Sequence, residues 1–123
     1  MSQARIKGRN MALIFGISFL YAFLIAMSLN FLTIHQWGAI SMVARDIAAA
    51  KPSYPAFMAD YGTTFRTFKH GMLHGFMASL SLALPIIGTN ALLERKSWQY
   101  TLVNGRFWIV CFMLMGGLIC AWA

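Results

Sequence analysis

Three long apolar runs separated by short polar stretches set the pattern of this chain. Met11 to Ile34 is a run of 24 residues without a charge. Gly71 to Leu93 is a second, of 23 residues, whose one titratable side chain near neutrality is His74. Thr101 to Trp122 is the third, with Arg106 close to its start. As a helix, 23 residues cover roughly 35 Å, enough to cross a bilayer core of about 30 Å. The pattern therefore predicts an all-α, polytopic membrane bundle of three transmembrane helices, at about 11–35, 71–93 and 102–122. One membrane domain over 1–123 is expected. Trp37, Trp98, Trp108 and Trp122 all fall near run ends, where interfacial aromatics belong.

Residues 38–69 form the extramembrane stretch between the first two runs. Ala39 to Ala50 has helix-forming composition, and Lys51-Pro52-Ser53-Tyr54-Pro55 breaks it, because proline fixes φ and biases its predecessor away from helix. Tyr54, Phe57, Tyr61, Phe65 and Phe68 then follow at steps of three and four. That spacing puts five aromatics on one face and predicts an amphipathic helix, with Gly62 as its weak point, lying in the membrane interface or packed on the bundle; an aromatic ligand pocket is the alternative.

The second run carries most of the local detail. Gly71, Gly75, Ser79 and Ala83 recur every four residues, a ladder of small side chains that lets another helix approach closely. Gly116-Gly117 offers a second such surface in the third run. Both are read as packing surfaces, and the ladder is expected to seek a partner chain. Pro85 cannot donate to the Ser81 carbonyl, so a kink or a local hydrogen-bond repair is expected there. In the first run Ala22, Ala26 and Asn30 share a face, from which Asn30 can hydrogen-bond to a neighbouring helix.

Composition agrees with lipid as the solvent. Hydrophobic residues make up 59% of the 123, and charged residues only 11%, against about 25% in soluble domains. The net charge of +7 would suggest nucleic acid in a soluble protein, but no basic stripe on a folded face is visible. The cations flank the apolar runs, as retention on the cytoplasmic side and contact with anionic head groups require. With the N-terminus inside, Arg5, Lys7, Arg9, Arg95, Lys96 and Arg106 are cytoplasmic, while Arg45, Lys51, Arg66 and Lys69 are outside. The expectation is the bacterial inner membrane, N-terminus in and C-terminus out.

Candidate chemistry is sparse. His70 and His74 are four apart and share a helix face, which suits a divalent metal. His35, at the same end of the first helix, is the obvious third ligand, and Asp46 or Asp60 a conjectured fourth. The competing reading makes the histidines interfacial polar residues bonded to backbone. Asn30, Asn90, Glu94, Asn104 and Arg106 are the other polar candidates, and Glu94 is most simply a solvated partner of Arg95, Lys96 or Arg106. Cys111 and Cys120 lie nine apart, on opposite helix faces, and read as small apolar fillers. There is no Ser-His-Asp order, phosphate loop, carboxylate pair within one span or CxxC, so no catalytic residue and no cofactor beyond a metal is expected. A haem or quinone held by the same histidines beside the aromatic face is the alternative to a metal.

The stretch HGMLHGFMASLSLALPIIGTNALLERKSWQYTLVNGRFWIVCFMLMGGLICAWA, residues 70–123, resembles a family of bacterial membrane proteins known as DUF1761. The shared pattern runs from a glycine-punctuated helix through Pro85 and Asn90 to the turn Leu93-Glu94-Arg95-Lys96. It continues through Asn104, Phe107 and Trp108 to Met115-Gly116-Gly117. Asp60-Tyr61-Gly62 and Phe65 to His70 also look like one branch of the family, and the first run with Ile34-His35-Gln36 fits more loosely. The resemblance implies an integral membrane protein without an established activity. Members usually begin with one further span, and this chain starts in the linker that would follow it. The expected role is a small membrane protein acting as a homo-oligomer or an accessory subunit. A transporter or channel component and a metal-binding membrane protein are the alternatives.

Overall fold

In a computed structural model, residues 10–43 and 46–122 are described. The basic residues Arg5, Lys7, Arg9 and Arg45 lie outside them. The described residues are mostly helical, without strands. In chain order they form α1 (Met11–Thr33), α2 (Gln36–Met42), a 3-10 turn (Ile47–Ala49) and α3 (Ser53–Tyr61). Then come α4 (Phe68–Ala78), a π-helical turn (Ser79–Ala83), α5 (Leu84–Leu93) and α6 (Trp98–Trp122). α4, the π turn and α5 run on as one rod, so three helices are long and apolar enough to cross a membrane: Met11–Thr33, Phe68–Leu93 and Trp98–Trp122.

Local chemistry sets most of the ends. Asn10 caps α1, its Oδ1 accepting from the Leu13 amide at 3.2 Å. Thr67 caps α4, its Oγ1 accepting from the His70 amide at 3.3 Å. Thr67→Ala is expected to cost about 1 kcal/mol, seen as a lower unfolding temperature in detergent. α5 ends with Arg95 at φ 56°, where Lys96 N–H donates to Ala91 C=O at 2.7 Å and Arg95 N–H to Leu92 C=O at 3.2 Å. This is a Schellman arrangement with arginine in the place glycine usually takes. Ser97 Oγ then accepts from Tyr100 N–H and starts α6.

Two features differ from the sequence expectations, and a third, at Pro85, gives an expected repair its form. α6 begins at Trp98, so Arg106 sits two turns inside a helix instead of at its entrance, with its side chain exposed. The single aromatic helix is absent: α3 stops at Tyr61, Phe65 stands in a turn and Phe68 opens α4. The reason is backbone geometry, since Phe65 takes φ 62°, which no α-helix admits. Only Tyr54, Phe57 and Tyr61 share a helix. At Pro85 the repair is a change of helix type. The rod widens so that Leu84 N–H reaches back to Ser79 C=O, five residues earlier. The Ser81 hydroxyl bonds Met77 C=O.

α4 packs on α6 by backbone approach. Gly71 and Gly75 are buried, and a Cβ at either would collide with a carbonyl oxygen of α6, that of Gly116 or of Phe112. A Cβ on Gly117 would come within 2.7 Å of the Phe68 ring. The ladder therefore faces the chain's own last helix. This corrects the expectation that it waits exposed for a partner chain. Ser79, completely buried, continues the contact, but the π turn shifts the register before Ala83. α1 joins the bundle mainly at its C-terminal end, through Leu29, Thr33 and Ile34, and leaves Phe15, Phe19, Tyr21 and Phe23 exposed. The C-terminal ends of α1 and α6 and the N-terminal end of α4 thus meet at one side of the bundle.

Candidate metal centre

That meeting point holds the three histidines. α1 unwinds at Ile34, whose extended backbone (φ −102°, ψ 99°) turns His35 toward α4. His70 and His74 stand one turn apart in the first turns of α4. One nitrogen from each ring can be chosen so that all three lie within 4.8 Å of one another. The His35 and His70 Nε2 atoms are 2.9 Å apart. One must donate and the other accept, so at least one of these two rings is neutral and has a lone pair to offer. The ring centroids lie 5.0 Å (His35–His70), 4.8 Å (His35–His74) and 4.4 Å (His70–His74) apart, all edge to face.

Three imidazoles at these separations suit one small cation. A tetrahedral zinc with Zn–N of about 2.0–2.1 Å needs its nitrogens roughly 3.3 Å apart. The observed separations bracket that distance, and modest ring rotations reach it. Among the described residues no carboxylate or thiol joins the group, and Asp46 and Asp60 lie outside it. The Asp46 carboxylate instead accepts from the Ala49 amide and caps the 3-10 turn.

The surroundings fix the geometry in ways the sequence did not announce. The Phe65 ring stacks on His70 at 4.9 Å and 23°. Gln36, next to His35 and buried, donates from Nε2 to the Tyr61 and Thr64 carbonyls at 2.8 and 2.9 Å. Its Oε1 is buried without a hydrogen-bond partner. Cys120, fully buried, donates its thiol to Phe65 C=O at 3.2 Å, with Thr33 C=O at 3.7 Å. Cys120 is more than a filler. Cys111 is only half-buried, and both thiols are free. A cavity of about 430 Å³ opens beside His35, walled by Met42, Phe57, Tyr61 and Phe65.

The other polar candidates stand apart from the imidazoles. Asn30 lines a groove with Leu118, Ile119 and Trp122 of α6. Asn104 donates to Tyr100 C=O one turn back. Asn90 and Glu94 are exposed, with Glu94 capping the C-terminus of α5. A further apolar cavity of about 400 Å³ lies between α1, the π turn and α6, bounded by Leu24, Leu29, Leu82, Ile86, Trp108 and Phe112.

A family model described as "Protein of unknown function (DUF1761)" matches residues 1–120. No curated protein and no solved structure matches the chain.

Proposed function

Because the chain belongs to the DUF1761 family, whose function is unknown, we propose a role for it from its own geometry. It is an integral membrane protein that binds a divalent transition-metal ion through His35, His70 and His74. The observation that carries this reading is the convergence of three imidazoles from two separate elements. Neutral imidazole suits zinc, copper, nickel and iron, whereas magnesium and calcium want oxygen ligands. Three protein donors leave a fourth position for water or a small ligand, as in sites that exchange or activate what they bind. The family description supplies neither support nor objection.

The membrane setting is the bacterial inner membrane, N-terminus in and C-terminus out, argued from the cations flanking the spans. On that orientation the histidines face outward. Assembly into an oligomer or onto a larger complex is supported by the apolar face of α1, much of which no other helix covers. The glycine ladder no longer supports it.

Zinc titration of protein purified in mild detergent tests the metal reading. The expected result is one ion per chain and an unfolding temperature that rises with zinc and falls back with a chelator. At 100 times the dissociation constant the ion stabilises by about 2.7 kcal/mol. A metal-free preparation whose unfolding ignores zinc, copper, nickel and cobalt(II) alike would overturn the reading.

A further inference from the structure

We infer that Phe65 is a positioning residue for the imidazole cluster, its ring fixing the plane of His70 from a backbone held in the left-handed region. The inference rests on the metal reading and adds to it the device that keeps the site in shape. Phe65 has φ 62°, an outlier for a bulky side chain. Such strain persists only where the surroundings over-determine it, and it collects at functional sites. Two separate elements do the determining here. From α6, the Cys120 thiol donates to the Phe65 carbonyl itself. From α2, Gln36 donates to the carbonyls of Tyr61, four residues before it, and Thr64, immediately before it. Both side chains are more than nine-tenths buried, at 0% and 7% exposure.

Core packing does not account for this effort, because the Phe65 side chain is 61% exposed. The ring lies nearly parallel to His70. A ring stacked on an imidazole limits its rotation about χ2 and so keeps Nε2 pointed at His35. Without the stack, His70 regains rotamers that carry its nitrogen away from the cluster. Binding must then restrict a mobile ring, and affinity falls by what an aromatic pair contributes, roughly twofold to tenfold.

The test uses the full chain in detergent, with Phe65→Gly and Phe65→Tyr. Glycine adopts the left-handed backbone without a Cβ penalty, so it removes the ring without adding strain. In Phe65→Gly, zinc affinity is expected to drop roughly twofold to tenfold, while the metal-free protein unfolds at the wild-type temperature or above. His70 in the metal-free protein is expected to react several times faster with diethyl pyrocarbonate, read by mass spectrometry. Phe65→Tyr, which keeps the ring, should restore all three. Wild-type affinity together with an unchanged His70 rate in Phe65→Gly overturns the inference. So does an unfolding temperature that falls in step with affinity, or a Tyr variant that behaves like Gly. Should wild-type protein bind no zinc, the metal reading falls and the His70 rates alone decide this one.

Discussion

Gly75→Leu is expected to destroy the folded chain itself. A side chain at Gly75 would drive into the Phe112 carbonyl, and α4 could accommodate it only by lifting off α6. Backbone cannot move aside as a flexible side chain can. The cost should therefore exceed the usual 1–3 kcal/mol of overpacking. The measurement is recovery of monodisperse protein from detergent, with resistance to protease. Gly16→Leu is the matched control, because a Cβ at Gly16 meets nothing within 4 Å. Equal recovery of the two variants would mean that the α4–α6 contact is not what holds the bundle. The comparison also separates two readings of one motif: a ladder used between chains would leave a folded monomer behind, whereas a ladder used within the chain would not.

His70→Ala should abolish metal binding in practical terms. The three rings form a nearly equal-sided triangle, with centroids 4.4, 4.8 and 5.0 Å apart, and removing His70 leaves two donors. Loss of a residue that merely supports a ligand costs about 10–100-fold in affinity, so loss of a ligand should cost at least the upper end of that range. His74→Ala should match it, and Asp60→Ala should change nothing, since Asp60 is outside the cluster. Isothermal titration of the variants with zinc reads all three. A His70→Ala protein that binds as the wild type does would remove the imidazoles from the site.

What the sequence made legible follows the period of its signals. The three spans were visible because an uncharged run of more than 20 residues has few other uses. The histidine pair was visible because i, i+4 spacing is a geometric statement about one helix. His35 required only that the end of one span meet the start of the next. The small-residue ladder was legible as a surface, but not what it would touch. Gly116 of this chain and a glycine of another satisfy the same pattern.

The aromatic stretch misled for a physical reason. Steps of three and four between Tyr54 and Phe68 are as regular as those of any helix. Nothing in a phenylalanine announces that it will take φ 62°. That geometry is imposed from a distance by Gln36 and Cys120, whose bonds join parts of the chain far apart in sequence. The π turn was half legible. Pro85 demanded a repair, but its form depended on which carbonyls the neighbouring residues could reach.

The Cys120 thiol belongs to the last turn of α6, yet it secures a corner in the loop between the first two spans. Ribosomes make the chain from the other end. All three imidazoles are therefore synthesised before the group that locks their surroundings exists. The loop has to wait, unfinished, for the third crossing. A chain that ended before Cys120 would hold every ligand and leave its site unset.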